Sequence, residues 1–320
     1  MSSKLLPCPF LLFLLAIALV SCSGDGDPSP ADVDTRSSLG GGACSWHPMA
    51  SPTTETLWGV WGSPDEVIAV GNAGAAAHLG EEWLTKTTGT DNDLCDVWTG
   101  ADSRAFAVGI NGTILRYDGS WSPMTSGTLS NLSDVFGFED GTAVAVGQAG
   151  TILWFDGSEW SPMESVTDVN LFGVWGSAAK DLFAVGVGGT IVHYDGEGWA
   201  FMTTVTPENL SAVFGISDSD VWAVGDSGTI IHFNGTAWQP SACGANANFA
   251  DVWVVPGELW AVGSNGTILH QVFSPPSCSV VESGTVANLL GVWGRGTCEI
   301  YAVGAGGTIL RYAAKEVDQP

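Results

Sequence analysis

Apolar runs of four to six residues alternate along this chain with short breaks rich in Gly, Asp and Asn. Segments this short, dominated by Val, Ile and aromatics and bounded by Gly, predict strands and not helices. The clearest stretch reads Asn170-Leu-Phe-Gly-Val-Trp-Gly, then Asp181-Leu-Phe-Ala-Val-Gly, then Gly189-Thr-Ile-Val-His-Tyr-Asp-Gly, then Trp199. Four strands are predicted there, each followed by a turn.

The pattern repeats. Ala-Val-Gly begins at Ala69, Ala107, Ala145, Ala184, Ala223, Ala261 and Ala302, in steps of 38, 38, 39, 39, 38 and 41 residues. A fixed period of this length marks an architecture whose units cannot bury their apolar faces alone. Gly-x-x-Gly separates the second and third strands in all seven copies, from Gly71/Gly74 to Gly304/Gly307. We expect glycine there because a tight hairpin needs positive φ. Asp118-Gly119, Asp156-Gly157, Asp195-Gly196 and Asn234-Gly235 supply hairpin signals between the third and fourth strands. Seven four-stranded antiparallel units predict an all-β fold, a seven-bladed β-propeller.

The ends of the array predict how the ring closes. The seventh copy stops after Gly307-Thr-Ile-Leu-Arg-Tyr312, short of a fourth strand, and an orphan fourth strand, Ser45-Trp46-His47-Pro48-Met49, precedes the first copy. It matches Ser120-Trp121-Ser122-Pro123-Met124 closely, so the N-terminal segment is expected to complete the last blade and remove an open sheet edge.

Composition changes the picture at the N-terminus. Lys4 precedes a mostly apolar stretch, Leu5 to Leu19, which predicts an export signal over 1–21. Leu19-Val20-Ser21-Cys22 resembles the bacterial lipobox, which implies cleavage before Cys22 and acylation (palmitate) of that residue. An ordinary secretory signal is the alternative. Ser23, in place of the Asp that signals inner-membrane retention, favours the outer membrane of the cell envelope. Residues 22–43, rich in Gly, Ser, Pro and Asp, read as the lipidated Cys and a tether, and 44–320 as the propeller.

The repeats resemble those of myxobacterial-type propeller lipoproteins and, more distantly, the photosystem II assembly factor family and Asp-box propellers of the sialidase type. The resemblance covers Ser45 to Tyr312 and carries the fold; such repeats recur on proteins of unrelated function. In the Asp-box form the Asp and Gly are separated, whereas here they are adjacent, so details of that turn do not carry over.

Net charge is −25, with 34 acidic against 9 basic residues, which argues against nucleic acid as a partner and favours solubility. His78, His193, His232 and His270 occupy one place in the third strand, with Arg116, Trp154 and Arg311 in other copies. Equivalent positions on neighbouring blades lie about 10 Å or more apart, too far to share one metal ion. First-strand aromatics (Trp61, Trp98, Phe136, Trp175, Phe214, Trp253, Trp293) and fourth-strand tryptophans, with Cys278 in one copy, read as packing between blades.

Glu66, Asp181, Asp220, Glu258 and Glu299 stand three before the Ala of Ala-Val-Gly, where bonds to turn amides are their expected task; a central Ca²⁺-binding ring is the alternative. No catalytic residue, cofactor or metal is predicted. The five arginines cannot supply the triad a sialidase-type site needs, since only Arg104 and Arg295 lie in the folded region outside the repeat framework. Among Cys44, Cys95, Cys243, Cys278 and Cys298, topology offers a Cys44–Cys298 disulfide stapling the closure, or Cys278–Cys298 between blades; the odd count implies a free thiol or an intermolecular bond.

The expected function is that of a monomeric, outer-membrane-anchored lipoprotein acting as a non-catalytic binding scaffold for proteins or glycans. A glycan-processing enzyme with an axial site and an envelope-protein assembly factor are the alternatives.

Overall fold

Strands form where the sequence places β-branched and aromatic side chains on both faces of a segment, because each sheet is covered on both sides by its neighbours. The second strands show this most clearly: Val67–Gly71, Ala105–Gly109 and Ala143–Gly147 are buried at every position. The computed structural model describes residues 44–100 and 103–314. The segments assigned above to the signal, to Cys22 and to the tether lie outside the described residues.

Seven four-stranded antiparallel sheets make the seven blades of a β-propeller. Blade 1 comprises Leu57–Gly62, Val67–Gly71, Ala76–Leu79 and Trp83–Thr85, and blades 2 to 6 span 94–124, 132–162, 171–201, 210–240 and 249–281. Blade 7 takes Leu289–Gly296, Glu299–Gly304 and Ile309–Ala314 from the end of the chain and its fourth strand, Cys44–Pro48, from the beginning. The register of that last pair runs Cys44↔Ala314, Trp46↔Tyr312 and Pro48↔Leu310. First strands contact one another in an unbroken cycle from blade 1 through blade 7 and back. They line the axis, and the closing strand is at the perimeter. Trp46 is buried there against Trp260 of blade 6 and Tyr312 of blade 7, at ring-centroid distances of 5.9 and 5.3 Å.

The Gly-x-x-Gly turn corrects the sequence reading in one respect. The second glycine does adopt positive φ, as at Gly150 (+67°) and Gly228 (+74°). The residue before it shares that conformation, even where it is Ala149 (54°) or Ser227 (57°). The first glycine is extended, φ −170° at Gly71, and is needed for a different reason: a Cβ there would lie 2.0 Å from the Thr56 carbonyl oxygen. Close backbone approach selects glycine at both places: a Cβ on Gly150 would lie 1.9 Å from the Thr167 carbonyl oxygen, whereas positive φ alone is tolerated by Ala149 and Ser227.

Each turn is also tied to the next blade. The residue preceding the next first strand accepts a hydrogen bond from a turn amide: Asp93 from Ala73, Asn131 from Asn111, Asn170 from Ala149, Asn209 from Gly188, Asn248 from Ser227 and Asn288 from Asn265, at 2.6–3.0 Å. Thr56 occupies the corresponding place at the seam between blades 7 and 1. That seam has other ties, the closing strand and a disulfide joining Cys44 to Cys298 with Cα atoms 6.0 Å apart. Cys278 bonds not to Cys298 but to Cys243, whose Cα is 5.8 Å away on the connector after blade 5.

Deleting Ser45 to Met49 is expected to lower the melting temperature and cause aggregation, since loss of a buried Trp alone costs about 3–5 kcal/mol and a bare edge remains. Restoring the segment at the C-terminus of a circular permutant should recover both. A truncated chain that melts like wild type and stays monomeric would exclude closure by this strand.

Candidate functional site

Chain direction defines two rims. First strands start, and the Gly-x-x-Gly turns lie, at one rim (upper); the turns between first and second and between third and fourth strands lie at the other (lower). In all seven blades the first strand shifts register between its first and third residues, so its second residue is bulged. A bulge re-aims side chains and interrupts strict alternation. Consecutive residues of the first strand therefore both line the axis at the upper rim.

The result is a shallow cup of about 70 Å³. Its mouth is formed by second residues, among them Trp58, Cys95, Phe172 and Leu290, with Ser133, Ser211 and Ala250 between. Beneath the mouth stand third residues: Asp96, Asp134 and Asp251, with Gly59, Gly173, Ala212 and Gly291 in the other blades.

The three aspartates join blades. Asp134 accepts hydrogen bonds from its neighbour Val135 N–H (2.7 Å) and from Val174 N–H of blade 4 (2.6 Å). Asp251 does the same with Val252 and with Val292 of blade 7, both at 2.8 Å. Asp96 accepts from Val135 N–H of blade 3 at 3.3 Å and shares a hydrogen bond with Asp134.

Burial raises all three carboxyls above the ordinary range, Asp251 to about 7. For Asp96 the charge of Asp134 adds to burial, while for Asp134 the hydrogen bonds from Asp96 and two backbone amides work against it. Asp96 is accordingly pushed further above the ordinary carboxylate range than Asp134. Among the described residues no three His, Cys, Asp or Glu side chains are grouped to hold a metal ion.

Below the cup the channel is plugged. Trp61 of blade 1 reaches across the axis to Phe136, Phe214 and Trp253 of blades 3, 5 and 6, with ring centroids 5.9, 5.9 and 5.6 Å away. First-strand aromatics thus pack between blades, as expected, and also seal the axis. Their neighbours explain the glycine that comes after them. A Cβ on Gly137 would lie 2.6 Å from the Trp98 ring, and one on Gly62 would lie 2.5 Å from Trp293. Each of these glycines makes room for the preceding blade's indole.

The five acids expected at turn amides are engaged elsewhere. Glu66, Asp181, Asp220 and Glu258 bond His78, His193, His232 and His270 of the same blade, at 2.6, 2.6, 2.8 and 3.0 Å. Glu299 meets Arg311 at 3.8 Å. The pairs belong to second and third strands near the lower rim, so they form no central ring. His78 donates through Nδ1 to Glu66 and accepts at Nε2 from the Trp121 indole of blade 2 (3.1 Å); burial lowers its pKa despite Glu66. His232 and His270 stack on Trp222 and Trp260, with centroids 4.1 and 3.8 Å apart. The histidines are structural partners of acids, each within its own blade.

No family model and no curated protein matches the chain. Among solved structures the fold is similar to YCF48 bound to D1 peptide (TM-score 0.70, 17% identity, covering 86% of this chain and 97% of that one). It is also similar to YCF48 from Cyanidioschyzon merolae (0.69, 16%, 85% and 99%) and to the WD40 β-propeller domain of Doa1 (0.75, 12%, 85% and 98%). At these identities the likeness is one of fold.

The raised carboxyls make stability depend on pH. Asp251 titrates at about 7 in the fold and near 3.8 in an open chain, so between those values the folded state holds more protons. Its contribution to stability is therefore lost as pH rises through that window. Asp251→Asn keeps one acceptor and cannot ionise. The variant's melting temperature relative to wild type should rise by about 2–5 °C from pH 4 to pH 8. A difference that does not change with pH would mean Asp251 is ionised throughout.

Proposed function

We propose that this chain is a non-catalytic binding scaffold that takes a protein segment across its upper rim, with a basic side chain entering the axial cup. The observation that carries this reading is the cup itself. It is lined at its base by Asp96, Asp134, Ala212 and Asp251 and holds about 70 Å³, room for the tip of one side chain and not for a substrate with its catalytic groups. Its aspartates sit where burial penalises their charge, and an entering cation would relieve that penalty. The same rim carries exposed apolar tips on its connectors, Leu129 and Val286 at 85% and 87% exposure after blades 2 and 6, and Val166 and Val205 after blades 3 and 4. Exposed apolar groups around a polar centre suit a protein partner better than a glycan. The fold neighbour described as bound to a D1 peptide supports the same kind of ligand.

The scaffold is an exported monomer of the myxobacterial lipoprotein type, held to the outer membrane by acyl chains on Cys22, and works as a binding or assembly factor of the cell envelope. The lipobox-like Leu19-Val20-Ser21-Cys22 and the Gly- and Pro-rich stretch after it support that placement.

The intact chain should retain one stoichiometric protein from envelope extracts, with cross-links confined to the upper rim. Asp134→Asn combined with Asp251→Asn should weaken capture about tenfold or more, the loss of one buried charge pair. Cross-links on the lower rim, undiminished capture by the double variant, or turnover of a glycan by the purified chain would each overturn the proposal.

Replacing Cys22 by Ser should abolish incorporation of labelled palmitate and release the chain from membranes. Labelling that persists in the variant would remove the anchor from this reading.

A further inference from the structure

Blade 2 breaks the sevenfold pattern at the lower rim. Where blades 1, 4, 5, 6 and 7 pair an acid on the second strand with His or Arg on the third, blade 2 carries Arg104 and Arg116. Blade 3 has Thr142 and Trp154 at the same two places. Neither blade repeats the acid–base combination at these positions.

The seam between these two blades opens into a cleft of about 330 Å³. Phe106, Phe155 and Trp98 form its buried floor, Phe138 of the blade 3 turn forms a wall, and Arg104 and Arg116 stand at its side. Arg116 is half-buried and lies directly opposite Phe106 in the strand register, which fixes its base against the aromatic floor. Glu139, exposed on the same turn, is the one acidic side chain lining the cleft among the described residues. The turn is held by Asp140, which accepts from the Thr142 amide (2.9 Å) and hydroxyl (2.6 Å).

We infer that this cleft is a binding site for a small planar aromatic monocarboxylate, a site separate from the axial cup. Its volume lies at the lower end of the range for small-molecule pockets, and its lining of rings with a few charged groups matches their usual composition. A guanidinium offers two parallel N–H donors to a carboxylate and stacks readily with aromatic faces. The remaining surface selects against higher charge: a chain at −25 repels a phosphate ester or dicarboxylate more strongly than a monoanion. Arg116 brings one of only 9 basic residues in the chain to this aromatic cleft.

The test uses the intact chain and 2-naphthoate as probe, with titration calorimetry as readout. Binding with one site per chain is expected. The neutral isostere 2-naphthalenemethanol should bind about tenfold more weakly or worse, as should the acid to Arg116→Gln. Phe138→Ala, which alters a wall and leaves the strands intact, should weaken both probes. Arg311→Gln, the equivalent change in blade 7, should leave 2-naphthoate binding unchanged. Equal affinity for acid and alcohol, unchanged binding in Arg116→Gln and Phe138→Ala, or no binding at millimolar probe would overturn the inference.

Discussion

The pairing of Cys44–Pro48 with Ile309–Ala314 is the contact on which the rest of this ring depends. Every sheet is buried on both faces by its neighbours, so no blade has a core of its own to fall back on. Blades 2 to 6 inherit their packing from flanking blades, whereas blade 7 is completed by a strand from the start of the chain and packs directly on blade 1 through Trp293, Tyr301 and Trp83. Trp46 makes this a packing event as well as a hydrogen-bonded one, since its indole fills the space between blades 6 and 7 that tryptophans of the fourth strand fill elsewhere. At that seam Thr56 stands where the other seams have Asn or Asp, and the closing strand and its disulfide are the additional ties.

Much of this architecture was legible in the sequence because the repeat presents the same element several times. Blade number, strand order and the origin of the closing strand can be read from aligned Gly, Trp and Ala-Val-Gly positions. The axial site was not legible, for a physical reason. Alternation along a strand predicts that Cys95 and Asp96, or Ser133 and Asp134, face opposite sides, and only the bulge turns both toward the axis. The Gly-x-x-Gly reading found the handed position but not the crowding at both glycines, because close approach depends on connectors separated from the turn in sequence and brought against it by the fold.

The acid–histidine pairs are a different case, and their signal was present. Wherever the second strand carries an acid (Glu66, Asp181, Asp220, Glu258, Glu299), the residue twelve positions on is a base, His in four copies and Arg311 in the fifth; where it does not (Arg104, Thr142), no His stands there, only Arg116 and Trp154. The covariation is internal to one chain. Phe136 and Phe214 both stand where most copies have Trp, and both are touched by the indole of Trp61 across the axis. For the plug the departures are not decisive, since Trp61 touches the regular Trp253 as well, whereas the arginine cleft of blade 2 is marked by them.

The Cys44–Cys298 bond also sets how this protein responds to mechanical tension. Cys44 is the first residue of the closing strand, so a pull from the N-terminal side reaches the covalent crosslink before it loads any rung of the hydrogen-bond ladder. Force then crosses to Cys298 in blade 7, 254 positions along the sequence, and bypasses everything between the two cysteines. With the bond intact, a pull between the chain ends can extend only the residues before Cys44 and those after Cys298. Reduction removes that bypass and places the entire load on a five-residue strand.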